Sequence, residues 1–198
     1  MIKTIRSVLP YGFRNFIYIR KQRLIFHSYK KRILRYYHDN PAMIKDDSMK
    51  EAIAFLQKNT FSSFPYNFSK KYSEKSIEIF RDPVRAMHYC MLDGRRLYFK
   101  RGMEIKKIRR QFNGLLLEQD PESAHRYITS DFAVQDGDTV IDAGAAEGNF
   151  SLSVVEKASK LILIETDPDW LSALEATFEP WKEKIIIINK FVSDHNSA

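Results

Sequence analysis

The chain has 198 residues, of which 44% are apolar and 13% aromatic, the composition of a globular protein long enough for one ordinary domain. Its single cysteine, Cys90, excludes an internal disulfide, and the C-x-x-C and H-x-x-x-H spacings are both absent, so we expect no structural metal. This cysteine usage favours a reducing compartment, and the cytoplasm is the expected location.

Charge is unevenly distributed along the chain. The first 40 residues hold ten Lys or Arg and one acid, a net charge of +9, whereas the remainder holds 22 basic and 24 acidic residues, a net charge of −2. A near-neutral body with a basic arm predicts that the arm meets an anionic surface, either the cytoplasmic leaflet or a nucleic acid. The ten cations are Lys3, Arg6, Arg14, Arg20, Lys21, Arg23, Lys30, Lys31, Arg32 and Arg35.

The arm, residues 1–40, has an amphipathic pattern but no membrane span. Pro10, Arg14 and Arg20 keep every apolar run well short of the roughly 18 residues that a span requires. Two interpretations stay open: an interfacial helix with weak anionic-lipid contact, peripheral at the inner membrane surface, or a basic helix packed on the body. The apolar stripe is imperfect and consists of Phe13, Phe16, Ile17 and Leu24.

Residues 41–115 are predicted to form an accessory region of one helix and a β-meander. Ser48 and Glu51 make a capping box, which places a helix over 48–58. Strands are predicted over 76–80, 86–92 and 95–100, and the Asp93-Gly94 pair between the last two indicates a two-residue hairpin.

Two further helices are predicted before the last third of the chain. The first has apolar residues at helical spacing and ends at Gly114. The second begins at Asp120, with Pro121 in its first turn. This second helix would cover a cofactor, present His125 or Tyr127 to a substrate, or pack both side chains against the sheet, and the sequence leaves these alternatives open.

From Gly137 onward the pattern alternates between strand and helix. Because the strands are apolar and separated by helices, they predict a parallel sheet with crossover helices and therefore an α/β fold class. The strands are predicted over 139–142, 161–165 and 184–189, and the helices over 149–158 and 169–178.

The first of these strands ends in an acid and enters a turn with two glycines. Gly144 allows a tight turn, and Gly148 allows the backbone to approach a ligand where a Cβ would clash. The helix that follows would offer its unpaired N–H groups to a ligand carboxylate. Asp142 lies at the strand end, where open α/β sheets bind ligands, and can accept hydrogen bonds from an ammonium group or water.

The second strand ends at Glu165, 21 residues after Gly144. An acid in this place is positioned to accept hydrogen bonds from both ribose hydroxyls of an adenosine. Dinucleotide binding fits less well, because the loop lacks Gly-x-Gly-x-x-Gly and Asp142 would repel a pyrophosphate.

Residues 142–153 and the strand end at Glu165 resemble the cofactor motifs of S-adenosylmethionine-dependent methyltransferases, and residues 191–194 are similar to the FkbM-type branch. The likeness runs from about residue 115 to the C-terminus and is looser through the hairpin. It implies the N-terminal half of a class I, Rossmann-like sheet, preceded by helices and a β-hairpin. The implied partial cofactor domain covers 116–198.

The resemblance also implies the cofactor, S-adenosyl-L-methionine, and the residues that hold it. Gly144, Ala145 and Gly148 would approach the methionine moiety, and Glu165 would bind the ribose. One departure is Ala146-Glu147, where many relatives carry Asn followed by an apolar residue. No catalytic residue or metal ligand is predicted, and the predicted cofactor-binding residues are Asp142, Gly144, Ala145, Glu147, Gly148, Asn149, Glu165, Thr166 and Asp167.

The implied activity is O-methylation of a saccharide or small hydroxylated molecule, by alignment of the acceptor oxygen with the sulfonium methyl group. A class I sheet has strands on both sides of its first strand, so a sequence that stops after the third is expected to be a truncated form, inactive alone. A nucleic-acid partner is not expected under this interpretation.

Two alternatives to this activity stay open. One is an RNA methyltransferase whose basic arm holds phosphates, which predicts steeply salt-dependent RNA affinity that is lost without residues 1–40. The other is a non-catalytic, membrane-associated module, which predicts liposome flotation without cofactor binding.

Overall fold

The computed structural model describes the backbone of residues 11–193 and the side chains of residues 20–193. The chain forms two compact units, Met1–Lys70 (unit 1) and Lys71–Ala198 (unit 2). Among the residues singled out above, those outside the described residues are Lys3, Arg6, Pro10 and Asp194, and the side chains of Phe13, Arg14, Phe16 and Ile17 are likewise outside. The division into segments 1–40, 41–115 and 116–198 stays a prediction.

Unit 1 is built from two helices, α1 over Tyr11–Asp39 and α2 over Asp47–Lys58, with a short 3-10 helix at Pro41–Met43 between them. The predicted capping box of α2 is wrong. The helix is capped by Asp46, whose side chain accepts a hydrogen bond from the Met49 N–H at 2.8 Å. Glu51 instead accepts bonds from the backbone and side-chain amides of Asn67, each at 3.0 Å.

An aromatic cluster joins α1 to the chain that follows α2. The Phe26 ring stacks on Phe61 with centroids 5.3 Å apart, and Tyr29 meets Phe61 at 5.9 Å. The Lys30 ammonium group donates to the Asn59 carbonyl oxygen at 2.7 Å. No described helix is long and apolar enough to cross a membrane, and contact with anionic lipid stays a prediction.

Unit 2 begins with the predicted β-meander, which the structure confirms. Strands β1 (Phe80–Asp82), β2 (Met87–Leu92) and β3 (Arg95–Tyr98) form an antiparallel sheet in that order. Asp93 and Gly94 have φ values of 48° and 78° in the predicted hairpin turn. The first strand begins later than expected, because a 3-10 helix at Glu74–Ser76 precedes it.

The two helices predicted before the parallel sheet differ from the structure. Helix α3, Ile105–Glu118, passes through Gly114, its predicted end, and buries Ile108 and Phe112. The helix predicted from Asp120 is wrong: residues 120–128 form turns. The Asp120 carboxylate accepts from the Glu122 N–H and its carbonyl oxygen from the Ser123 N–H, each at 2.8 Å, and these bonds close a turn instead.

The last third forms the predicted parallel sheet, so the α/β fold class is confirmed. Strands β4 (Thr139–Ala143), β5 (Lys160–Ile164) and β6 (Ile185–Ile188) pair in that order. The crossover helices are α4, which spans Asn149–Val154, and α5, which spans Pro168–Phe178. Helix α4 is shorter than predicted, since residues 155–157 form a turn.

One face of this sheet carries the core of unit 2. Leu161 and Leu163 of β5 are fully buried, as is Leu174 of α5. The Tyr98 N–H of the meander donates to the Thr177 hydroxyl at 3.0 Å, which ties β3 to α5. Within the described residues the outer edge of β4 has no partner strand, so the end of β4 lies at an open edge.

Candidate active site

The carboxyl ends of β4 and β5 are joined by the turn that follows β4. The N–H groups of Gly144 and Ala145 both donate to the Ile164 carbonyl oxygen, at 2.8 and 3.1 Å. The Ala146 N–H donates to the Glu165 carboxylate at 2.9 Å. These bonds bring together the two strand ends that the sequence assigned to one ligand site.

Glu165 is 8% exposed and is held by three backbone donors. Besides the bond from Ala146, its second oxygen accepts from the N–H groups of Thr166 and Asp167, each at 2.8 Å. A carboxylate has about four lone-pair sites, so one site remains for a ligand donor. Contact with two ribose hydroxyls would therefore require one of the backbone bonds to be released.

Asp142 occupies the end of β4, half-buried beside Ser151. The Ser151 hydroxyl donates to its carboxylate at 2.6 Å. Burial raises the pKa of Asp142 above its ordinary value, and the nearby charge of Glu165 adds to this effect. The side chain is therefore a carboxylate that a cationic ligand group would stabilise in its charged form.

Glu147 is 5% exposed and points toward α3. The Gln111 side-chain amide donates to its carboxylate at 2.7 Å. Burial is the main cause that raises the pKa of Glu147. The sequence did not single out Gln111, although its place between the buried Ile108 and Phe112 of α3 indicates an inward position.

The two glycines of the turn have different surroundings. Both have positive φ, 82° at Gly144 and 76° at Gly148. A Cβ on Gly144 would meet nothing within 4 Å, whereas a Cβ on Gly148 would lie 2.8 Å from side-chain atoms of Leu174 and Phe178. The space beside Gly148 is therefore filled by α5, and the open space is at Gly144.

Asp167 differs from the other acids of the site because it has a cationic partner. Its carboxylate pairs with the Lys100 ammonium group, and it caps α5 by accepting from the Asp169 N–H at 2.9 Å. Lys100 holds the pKa of Asp167 below its ordinary value. Lys100 also lies 4.7 Å from the Trp170 ring centroid, a contact that the sequence did not indicate.

A groove of about 700 Å³ runs along β4 to this site. The groove is lined by the aromatic residues Tyr127, Phe132 and Phe150 and, at the end of β4, by Asp142 and Gly144. Tyr127 and Phe150 pack edge to face at 5.3 Å. Of the two residues predicted to meet a substrate, Tyr127 therefore lines a groove that reaches the strand ends.

The electrostatic character of the site follows from its acids. Within the described part of the chain, Asp142, Glu147 and Glu165 form no ion pair with Lys, Arg or His. Such a site repels phosphate groups and attracts a cation that carries hydrogen-bond donors. In the same part of the chain, three or more His, Cys, Asp or Glu residues nowhere group as metal ligands.

No family model matches the chain, and no curated protein is similar to it. Several solved chains are similar to parts of it, among them the following two. One is Trm5b from Pyrococcus abyssi, with 18% identity and a TM-score of 0.34 over 53% of this chain and 28% of that chain. The other, from Pyrococcus horikoshii, is described as a "putative RNA methyltransferase", with 17% identity and a TM-score of 0.29 over 77% and 54%.

This chain spans about a quarter and about half of the lengths of those two proteins, and TM-scores this low carry no inference about its activity. The predicted cofactor, S-adenosylmethionine, is that of these methyltransferases, whereas the FkbM-type branch receives no support. The sequence analysis predicted no nucleic-acid partner. This prediction is wrong by the comparison, because one match is described as an RNA methyltransferase.

Proposed function

We propose that unit 2 binds S-adenosylmethionine at the carboxyl ends of β4 and β5 and acts in methyl transfer. The observation that carries this proposal is a set of acids without ion pairs among the described residues, at and after the ends of β4 and β5. Glu147 and Glu165 are buried, Asp142 is half-buried, and the space beside Gly144 is open. S-adenosylmethionine presents an ammonium group, a sulfonium, two ribose hydroxyls and one carboxylate, so its net charge is positive and it has no phosphate. Its charges and donors therefore complement the site, whereas those of a dinucleotide do not.

The chain's residues take distinct parts in this proposal. Glu165 accepts a hydrogen bond from the ribose through its remaining lone-pair site, and Asp142 accepts from the ammonium group. The groove along β4 gives an acceptor access to the strand ends. When bound, S-adenosylmethionine supplies an electrophilic methyl group, and the protein's task is to align the acceptor with it.

We also propose that the α/β fold of unit 2 is a class I, Rossmann-like methyltransferase core. It is supported by the strand order β4-β5-β6 with a helix in each crossover, and by the acid at each of the first two strand ends. No described contact favours a saccharide over another acceptor. RNA is the acceptor that we place first, because a cationic surface of unit 1 favours a polyanion.

The test is isothermal titration calorimetry of the full chain with S-adenosylmethionine and, separately, with NAD. We expect binding of the first ligand alone. Glu165→Gln removes a charge-assisted hydrogen bond worth about 1.5 to 3 kcal/mol, so the affinity should fall ten-fold or more. Asp142→Asn should weaken binding as well, because the charge that faces the ammonium group is lost.

The matched control is Glu175→Gln, which removes an exposed acid of α5 and should leave the affinity unchanged. Thermal unfolding of each variant separates loss of binding from loss of fold. An unchanged dissociation constant in both Glu165→Gln and Asp142→Asn would reject the proposed site, and NAD binding as tight as that of S-adenosylmethionine would reject the proposed cofactor.

A further inference from the structure

Helix α1 of unit 1 exposes a dense set of cations. Over its 29 residues the helix contains a single acid, Asp39, whose carboxylate lies 3.7 Å from the Arg35 guanidinium. The Arg35 side chain is 83% exposed despite this pair. In a helix of 3.6 residues per turn, most of these cations project over one half of the circumference. The exposed cations from residue 20 onward are Arg20, Lys21, Arg23, Lys31, Arg32 and Arg35.

Aromatic rings lie directly beside these cations. A groove of about 730 Å³ in unit 1 is lined by Tyr29, Tyr36 and Tyr37 together with Arg32 and Arg35. Tyr29 and Tyr36 are 46% and 49% exposed. The Tyr36 and Tyr37 rings pack edge to face at 5.2 Å, and the exposure of Tyr36 leaves part of its ring available to a further planar group.

The packing of α1 decides between a lipid surface and a nucleic acid. A helix that inserts into lipid needs its apolar side free, but here Phe26 and Tyr29 pack on Phe61 within the unit. Among the described side chains of α1, the exposed aliphatic and phenylalanine residues are Leu24 at 66% and Phe26 at 42%. Together they offer less apolar area than the wide apolar face that an interfacial helix presents to lipid. Over the described part of the helix, the exposed surface therefore consists mainly of Arg and Lys side chains and tyrosine rings, with Leu24 and Phe26 as its apolar members.

We infer that this groove of unit 1 binds single-stranded nucleic acid, with phosphates on Arg32 and Arg35 and a base stacked on Tyr36. Unstacked bases can use the exposed ring, whereas the bases of a duplex are already stacked inside the helix. The inference is independent of the proposed cofactor site, which belongs to unit 2. A chain without affinity for S-adenosylmethionine would still bind RNA, so the two failures are distinguishable.

The first test uses fluorescence anisotropy of the full chain with a labelled single-stranded RNA of about 16 nucleotides. Each phosphate contact on a single strand contributes about 0.7 to the slope of log affinity against log salt. The double variant R32Q/R35Q should therefore lower that slope by about 1.4 and weaken binding at low salt by ten-fold or more. The matched control is K106Q/K107Q, which removes two exposed cations of α3 and should leave the slope unchanged.

The second test separates stacking from charge at Tyr36. Tyr36→Phe keeps the ring and should bind RNA as the parent does. Tyr36→Leu keeps an apolar side chain without a ring, and because base stacking is worth about 1 to 3 kcal/mol, its affinity should fall about five-fold or more. Equal affinities of the two variants would overturn the stacking that the inference assigns to this residue.

The third test asks which polyanion the groove prefers. Duplex RNA of the same length should compete less well than the single strand, and vesicles of phosphatidylcholine with phosphatidylserine should not displace it. Vesicle binding that removes the RNA, or a duplex that binds as tightly as the single strand, would overturn the inference. The same holds if K106Q/K107Q weakens RNA binding as much as R32Q/R35Q.

Discussion

Buried and half-buried carboxylates occur in two kinds of surroundings in unit 2. Asp82, 6% exposed, accepts from the backbone N–H of Arg85, from the Tyr98 hydroxyl at 2.8 Å and from the Arg85 guanidinium at 3.0 Å. These bonds lower its pKa to about 2. Asp120, 3% exposed, accepts from the Tyr72 hydroxyl at 2.5 Å, and although burial opposes it, this bond lowers the pKa of Asp120.

Asp142 and Glu147, the acids at the end of β4 and in the turn after it, form no ion pair with a described residue. Asp142 and Glu147 are held by one hydroxyl and one amide donor, and burial raises the pKa of both. A carboxyl with a lowered pKa stabilises the folded state when ionised, whereas one with a raised pKa destabilises it. Asp82 and Asp120 therefore stabilise the fold, and we call them framework acids. Asp142 and Glu147 have the properties that a site for a cationic ligand requires.

The largest change in stability is expected at Gly148. Within the turn after β4, Gly148 packs against α5 and so belongs to the framework, whereas Gly144 faces open space and belongs to the site. Gly148→Ala should lower the free energy of unfolding by about 2 to 4 kcal/mol, because it combines positive φ with overpacking against Leu174 and Phe178. Gly144→Ala is the matched control, since it has the same strain without the clash and should cost about 1 to 2 kcal/mol. Urea unfolding measures both, and equal losses would contradict the packing role of Gly148.

Asp120→Ala tests the framework acids with the next largest effect. It leaves the Tyr72 hydroxyl without its acceptor, so the free energy of unfolding should fall by about 2 to 3 kcal/mol. Asp136→Ala, an exposed acid of the same unit, should change it by less than about 0.5 kcal/mol. Adding Tyr72→Phe to Asp120→Ala should recover part of the loss, and a fully additive double variant would contradict the interaction.

Much of this framework is predictable from local sequence. The hairpin turn depends on Asp93 and Gly94 alone, and the parallel strands are short apolar runs between helices, so their positions agree with the structure to within a few residues. The position at which α3 ends, by contrast, is not determined by local sequence. Gly114 remains helical because buried residues before it and apolar residues after it pack on the core, and packing overrides the propensity of one glycine.

Some residues of the candidate site can likewise be predicted from the sequence, and others cannot. Asp142 and Glu165 are predictable because strand ends of a parallel sheet meet at one edge, a consequence of topology. Gln111 and Lys100 are not, since their contacts with Glu147 and Asp167 join residues 36 and 67 positions apart in the chain. At Asp120 the local pattern predicted a helix that does not form, because an acid before a proline can start a turn as well as a helix. The Tyr72 hydroxyl that holds the Asp120 carboxylate is 48 residues away in the chain, so local sequence does not indicate this contact.

Substitution of Asp142 should change the free energy of unfolding in the opposite direction to substitution of Asp120. Asp142→Asn keeps an acceptor for Ser151 and removes a buried charge, so the free energy of unfolding at pH 7 should rise by about 1 kcal/mol. The penalty from a raised pKa is present above the folded-state pKa, shrinks as the pH falls through it and is absent below the unfolded value of about 3.9. Urea unfolding from pH 7 to pH 4 should therefore show the gain diminishing toward acid, and a constant gain would contradict the role of ionisation.

The smallest effect is expected at Asp167, which lies beside Glu165 but is paired with Lys100 as a framework acid is. Its backbone N–H serves the site by donating to Glu165, so Asp167→Asn should change the dissociation constant for S-adenosylmethionine by less than about three-fold. The exposed part of the ion pair is worth little, and the free energy of unfolding should fall by about 0.5 to 1 kcal/mol. Lys100→Gln should give a similar loss of stability, and molar salt should reduce both losses because the charges are partly exposed. Calorimetry and urea unfolding measure the two quantities on the same samples. A large loss of cofactor affinity in Asp167→Asn, with Lys100→Gln unaffected, would move Asp167 from the framework to the site and break the division drawn from the ion pairs.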